Sequence, residues 1–156
     1  MKTVQHLLEC KGYDIWSISP QASVYDALTL MANKNIGAVL VIDAGQLVGI
    51  MSERDYARKI ILKGRLSRDT RVREIMSERV VCVDVHQTTY ECMALMASGR
   101  FRHLPVLEDS RLVGVISIGD VVKTIISEQE WSIGQLENYI WGASPGLPAL
   151  LRSSPS

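Results

Sequence analysis

Residues 47–55 read LVGIMSERD: an apolar run that contains a glycine, then a serine, and an aspartate three residues after the serine. The same pattern returns 65 residues later, as LVGVISIGD at residues 112–120. Between Leu47–Ile61 and Leu112–Ile126, seven of fifteen positions are identical. An internal repeat of this length reports the architecture directly, because each copy is one structural unit. The sequence is therefore predicted to contain two copies of one fold unit.

Each copy is predicted to fold as β-α-β-β-α. Ser23 and Thr88 are suited to cap a helix, and apolar residues recur at helical spacing after each of them. Residues 38–42 and 47–51 are apolar and rich in β-formers on either side of Asp43–Gln46, which predicts a hairpin. A unit of about 65 residues is at the lower limit for a self-sufficient core, so we expect the copies to share one. The predicted fold class is α/β.

The same patterns divide the chain into five segments. A polar, basic connector separates the copies, and an amphipathic stretch followed by a proline- and serine-rich tail comes after the second copy. The predicted segments are repeat 1 at 3–62, a linker at 63–71, repeat 2 at 72–127, a C-terminal helix at 128–141 and an irregular tail at 142–156.

Composition excludes several function classes. The 156 residues include 17 basic and 17 acidic side chains, and this balance argues against nucleic acid or an anionic membrane as the main partner. Three cysteines without a CxxC motif favour a reducing compartment. No apolar stretch is long enough for a membrane helix, so we expect a cytoplasmic protein.

Recognisable catalytic motifs are absent from the sequence. The three histidines are scattered, with no cysteine or histidine at metal-ligand spacing. There is no glycine-rich Walker loop and no Gly-x-Ser-x-Gly nucleophile elbow. We therefore expect no enzymatic activity and no metal site.

The repeated Ser-x-x-Asp allows two interpretations. In the first, serine at the N-cap and aspartate at the third helical position form a capping box, which stabilises a helix start by about 1 kcal/mol. In the second, the helix start and the serine hydroxyl hold a phosphate, because free N–H groups and a partial positive charge meet there. The carboxylate one turn later can accept hydrogen bonds from the two vicinal hydroxyls of a ribose.

The doubled unit resembles a tandem CBS-domain pair, also called a Bateman module, over about residues 3–127. The resemblance depends on Gly-x-x-Ser-x-x-Asp at the same place in both copies, and on RHLPV at residues 102–106 before the second hairpin. It extends to the stand-alone two-CBS proteins of bacteria and plant organelles. The resemblance implies two pseudo-symmetric clefts between the copies, each able to take AMP, ADP or ATP, or in some members NAD or S-adenosylmethionine.

The resemblance also implies roles for individual residues. Asp55 and Asp120 are expected to hold ribose, and Ser52 and Ser117 to lie by the phosphate. The remaining expected nucleotide-binding residues line the base and phosphate ends of the clefts or stand next to the motifs: Ile15, Ile36, Gly37, Ala38, Arg54, Val80, Phe101, Arg102, His103, Pro105, Ile118 and Gly119.

The copies differ in charge beside these motifs. Arg54 precedes Asp55, whereas a glycine precedes Asp120. The resemblance implies that Arg54 serves the cleft of Asp120, while Arg102 and His103 serve that of Asp55. A guanidinium suits bidentate contact with phosphate. A histidine with a pKa near 6.5 would make binding mildly dependent on pH.

The expected function is regulatory: an adenine nucleotide shifts the arrangement of the two copies, and an unidentified target protein reads that shape. The resemblance implies a homodimer in the form of a flat disc, with no required cofactor. Two alternatives remain open. One is a structural interaction module whose clefts stay empty, and the other is a nucleic-acid-binding regulator that uses the basic residues around the connector.

Overall fold

The computed structural model describes residues 2–141, so the predicted tail at 142–156 lies outside the described residues. The helices are α1 Val4–Lys11, α2 Val24–Lys34, α3 Glu53–Tyr56 with a π-helical continuation Ala57–Ile61, α4 Val72–Ile75, α5 Thr89–Gly99 and α6 Ile118–Trp141. The strands are β1 Ser17–Ile18, β2 Ala38–Asp43, β3 Gln46–Ser52, β4 Val83–Asp84, β5 His103–Glu108 and β6 Arg111–Ser117.

The two halves of the chain form sheets of identical topology, in the orders β1-β2-β3 and β4-β5-β6. In each sheet the first strand is parallel to the second, and the second is antiparallel to the third. A helix makes the crossover between the parallel strands, as parallel pairing requires. The α/β fold class and the internal repetition predicted from the sequence are confirmed.

Local sequence signals place the elements of each unit. The hydroxyls of Ser23 and Thr88 accept hydrogen bonds from backbone amides three residues on, at 3.0 and 3.1 Å, so both cap helices as predicted. The first hairpin turns at Ala44 and Gly45, whose φ angles are 50° and 79°. Two consecutive positive φ angles match the two-residue turn that suits the twist of paired strands.

The two halves exchange their first helices. Val4 and Leu8 of α1 are buried with the sheet of the second half, and Val72 and Ile75 of α4 are buried with the sheet of the first. The sequence predicted one core shared by the two copies. The structure instead has two apolar clusters, each completed by a helix from the other half. The reason is that each sheet carries a strong apolar face, and the short helix that precedes it crosses over to cover the other one.

Backbone hydrogen bonds hold this exchange in place with the same pattern on both sides. The amide of Val4 donates to the carbonyl of Gln87 at 2.8 Å, and the amide of Val72 donates to the carbonyl of Ala22 at 2.8 Å. Antiparallel bridges join Thr3 to Thr88 on one side and Ser23 to Arg71 on the other. The boundary between the halves is thus fixed by main chain as well as by apolar contact.

The last helix of the second half is longer than its counterpart. α6 runs without a break over 24 residues, so the predicted C-terminal helix at 128–141 is a continuation of the helix that begins at Ile118. Residues 127–130 are Ser, Glu, Gln and Glu, which contain no proline or glycine to end a helix. No helix within residues 2–141 combines the length and apolar composition needed to cross a membrane.

Candidate functional site

Both Ser-x-x-Asp motifs form capping boxes where a strand passes into a helix. The amide of Ser52 donates to Oδ2 of Asp55 at 2.9 Å, and the amide of Asp55 donates to the Ser52 hydroxyl at 3.2 Å. Ser117 and Asp120 repeat the arrangement at 2.8 and 3.2 Å. The capping interpretation is confirmed. Capping uses Oδ2 of each aspartate, and both aspartates line a cavity. Oδ1 of Asp55 also lies 3.3 Å from the ammonium group of Lys59.

Two cavities lie between the halves, one beside each aspartate. The Asp120 cleft has a volume of about 350 Å³, and the Asp55 cleft has a volume of about 460 Å³. Both volumes fall within the range of about 300–1,000 Å³ that is usual for small-molecule sites. Each cleft takes one wall from each half, because the residues before β2 face Asp120 and those before β5 face Asp55.

Thirteen of the sixteen residues expected to bind nucleotide line these two cavities. Gly37, His103 and Ser117 border both. The Asp120 cleft adds Ile36, Ala38 and Asp120, and the Asp55 cleft adds Ser52, Arg54, Asp55, Phe101, Arg102, Ile118 and Gly119.

Arg54 does not line the Asp120 cleft, to which the resemblance had assigned it. It lines the Asp55 cleft, together with Glu53 and Asp55. The reason is that this cavity wraps round the whole first turn of α3, so that successive side chains of the turn remain at its wall. Arg102 and His103 line the Asp55 cleft, where the sequence analysis placed them.

Ile15, Val80 and Pro105 line neither cavity, in contrast to the expectation. Trp16 and Arg79, one residue from Ile15 and Val80 respectively, line the cavities instead. Side chains alternate between the two faces of an extended chain, so an error of one residue moves a prediction to the wrong face. Pro105 is buried within β5, opposite Val115.

Protein-family comparison assigns the description "CBS domain" to two stretches, residues 11–62 and 72–127. The chain belongs to the CBS-domain family. The CBS domain-containing protein CBSX3 of Arabidopsis thaliana mitochondria is 37% identical over 150 residues, which cover 90% of this chain and 72% of that protein. The resemblance to a tandem CBS pair is therefore confirmed.

Solved structures of CBS pairs have the same fold. A putative signal-transduction protein with CBS domains from Burkholderia ambifaria is 50% identical, with a TM-score of 0.79 over 82% of this chain and 96% of that one. The CBS pair of protein MJ0100 was solved in complex with 5′-methylthioadenosine and S-adenosyl-L-methionine. It is 21% identical, with a TM-score of 0.72 over 82% of this chain and 98% of that one, and this likeness shows the fold.

Lys11 is the main residue of the CBS pair that the sequence analysis missed. Its ammonium group donates to Oδ2 of Asp120 at 2.6 Å and to the carbonyl of Val115 at 2.5 Å, within the Asp120 cleft. Lys11 stands 109 residues from Asp120 in the chain, and only the helix exchange brings them together. No local motif could have indicated this contact.

Trp16 was missed as well, although an aromatic residue near the start of the first strand was a usable signal. Its ring lines the Asp120 cleft, and the ammonium of Lys34 lies 4.3 Å from the ring centroid. A flat aromatic surface in the Asp120 cleft can stack with a planar ring, because aromatic rings prefer offset or edge-to-face packing.

Two titratable groups of the clefts have shifted pKa values. Burial tends to raise the pKa of Asp120, but hydrogen bonds from Lys11 and Ser117 outweigh it and hold the pKa below its usual value. Burial lowers the pKa of His103, the positive charges of Lys11 and Arg102 lower it further, and Asp120 opposes them. Burial and the two neighbouring cations thus favour the neutral imidazole of His103 in the ligand-free protein.

The basic connector has internal partners for several of its charges. Arg65 pairs with Glu74 at 2.6 Å, and the guanidinium of Arg68 lies 4.2 Å from the centroid of the Tyr25 ring. The Arg71 guanidinium donates to the side chain of Gln21. These contacts give the connector a structural role. Within residues 2–141, no group of three or more His, Cys, Asp or Glu side chains is arranged to hold a metal ion.

The ring of His103 is expected to titrate below pH 6.5, because burial disfavours the imidazolium form. The unfolded chain then binds this proton more tightly than the folded chain. The contribution of neutral His103 to folding stability is therefore complete above about pH 6.5, and it is lost as the pH falls through the folded-state pKa. The contribution of ionised Asp120 to folding stability is also lost as the pH falls, but in more acid solution, below about pH 4.

An NMR titration of the imidazole protons checks this prediction, with thermal melts at pH 7 and pH 5 as a second measurement. We expect a midpoint below 6.5 for His103, and a loss of stability between the two pH values that His103→Gln reduces. His86→Gln, at an exposed position outside both clefts, is the matched control. A midpoint of 6.5 or higher for His103 contradicts the burial argument.

Proposed function

We propose that this CBS pair is a regulatory sensor that binds adenine nucleotides or related adenosine compounds in its two clefts and catalyses no reaction. The observation that carries the proposal is the pairing of Asp55 and Asp120 with separate cavities of ligand size. Candidate ligands are AMP, ADP and ATP, with NAD and S-adenosylmethionine as related adenosine compounds. The cytoplasmic location stays a prediction from the sequence.

The chemistry of the Asp120 cleft supports an adenosine ligand. Within the described residues, the hydrogen bonds to the Asp120 carboxylate all go to Oδ2, so Oδ1 is available to accept from a ribose hydroxyl. Trp16, Ile36 and Val115 supply an apolar wall for a base. The adenosine compounds in the MJ0100 pair are consistent with this proposal.

Lys11 gives the module a way to report that a ligand has bound. It ties the last turn of α1 to Asp120 in one half, and α1 completes the core of that half. A ribose that engages Asp120 shares or displaces this ion pair, so the ligand and the position of α1 are linked. A target protein that reads the position of α1 then responds to occupancy, as linkage between two states requires.

The ribose role of the aspartates is tested by isothermal titration of AMP into wild type and the Asp55→Ala/Asp120→Ala double variant. We expect the double variant to bind more than about tenfold more weakly, because hydrogen bonds to a charged group are worth about 1.5–3 kcal/mol each. Asp26→Ala/Glu91→Ala is the matched control, since it removes the carboxylates at the same position of the capped helices α2 and α5.

Equal affinity in wild type and the Asp55/Asp120 variant, or an equal loss in the control, would remove the ribose role. The alternative of an empty structural module is tested with the same protein by thermal unfolding in the presence of each candidate ligand. A ligand at 100 times its dissociation constant should stabilise the fold by about 2.7 kcal/mol. An unchanged melting temperature with every compound would favour the structural module.

We further propose that the module is a homodimer that pairs through α6. Five apolar side chains of this helix are 37 to 60% exposed and recur at spacings of three, four and seven residues: Val122, Ile126, Ile133, Leu136 and Ile140. This is the spacing of a helix that packs along a second helix, with Gln129 at one seam position. The same apolar stripe on a second copy of the chain can pack against this one, so we propose a second copy as the partner of α6.

Native mass spectrometry tests the dimer. Wild type is expected at twice the 17.3 kDa mass of the chain, and Ile133→Glu at the single mass, because a charge in the seam lacks a partner. Gln135→Glu adds the same charge outside the stripe and should leave the dimer intact. A monomeric wild type, or a dimer that persists in Ile133→Glu, contradicts pairing through this face.

A further inference from the structure

The two clefts carry opposite formal charge, although the chain as a whole is neutral. Five guanidinium groups line the Asp55 cleft against two carboxylates, those of Glu53 and Asp55, a formal excess of three positive charges. The Asp120 cleft has one ammonium group, that of Lys11, against the carboxylates of Asp14 and Asp120. The arginines of the Asp55 cleft are Arg54, Arg58, Arg79, Arg100 and Arg102.

These five arginines are not used to hold the fold together. Among the described residues, no carboxylate forms an ion pair with any of them, and the only aromatic ring in contact with one of them is that of Phe101, whose centroid lies 5.5 Å from the Arg79 guanidinium. Arg65 and Arg71, in contrast, are tied to Glu74 and Gln21. A cluster of unpaired like charges around one cavity repels itself, and an anion placed among them relieves that repulsion.

The type of cation in the Asp55 cleft indicates which class of anion the cleft suits. A guanidinium is permanently charged and presents planar donors that match phosphate oxygens in pairs. One phosphate group offers room for two such contacts, whereas five arginines round one cavity match a chain of phosphates. In the Asp120 cleft, Lys11 is engaged by Asp120 at 2.6 Å, and Asp14 adds a negative charge that disfavours a second phosphate.

We propose that the Asp55 cleft is the polyphosphate site of this CBS pair, and that it takes a nucleoside di- or triphosphate. The Asp120 cleft takes adenosine compounds that lack a polyphosphate tail. This division of ligands rests on the proposed adenosine-binding function and adds to it a difference between the two clefts. A triphosphate and an adenosine compound can then bind at the same time, so the module responds to both.

The test is isothermal titration of ATP and of adenosine, at low and high salt, into wild type and Arg100→Gln/Arg102→Gln. Both arginines are exposed, so the variant should keep its fold, which a thermal melt verifies. ATP affinity should fall at least tenfold in the variant, and should fall with salt in wild type. Adenosine affinity should change less than twofold in both comparisons.

Arg73→Gln/Arg111→Gln is the matched control, because it removes the same charge from exposed positions outside both clefts. An equal loss of ATP affinity in this control, or no loss in Arg100→Gln/Arg102→Gln, overturns the polyphosphate site. If adenosine still binds in that case, the proposed function stands. Inorganic tripolyphosphate tests the case in which the adenosine function fails but the polyphosphate site is real. In that case wild type binds tripolyphosphate, Arg100→Gln/Arg102→Gln does not, and no adenine compound binds. This result would support the polyphosphate site and reject the adenosine function.

Discussion

Each half of this protein is completed by a helix that belongs to the other half, and the two clefts depend on that exchange. α1 covers the sheet of the second repeat and α4 covers that of the first, with backbone hydrogen bonds of 2.8 Å on both sides. The halves cannot separate without exposing both cores. The surfaces that face each other across the boundary are therefore held together, and the cavities beside Asp55 and Asp120 lie along it.

The two repeats share one backbone arrangement, but the clefts beside their aspartates differ in chemical character. The capping boxes at Ser52 and Ser117 have nearly the same geometry, so they hold their aspartates alike. The difference comes from side chains around them. Arginines surround the first aspartate, while Lys11 and Trp16 accompany the second. Local backbone geometry thus supplies the same capped aspartate in both clefts, and the surrounding side chains give the two clefts different charge.

The sequence predicted what depends on local or periodic signals. The repeat, the hairpins, the caps at Ser23 and Thr88 and the position of both Ser-x-x-Asp motifs follow from residue type and spacing, and the fold has all of them. The sequence could not predict the exchange of α1 and α4, because covering either sheet satisfies the same apolar pattern. The contact of Lys11 with Asp120 is a consequence of the exchange and was missed for the same reason.

A ligand titration followed by two-dimensional amide NMR tests the central claim, that the cavities at the boundary of the halves bind adenosine compounds. We predict that AMP shifts, in a saturable manner, the amides of Gly37 and of one or both helix starts at 52–55 and 117–120. Resonances on the outer faces of α2 and α5 should stay in place. Titration of AMP, ATP and adenosine without any shift at either helix start would contradict the claim.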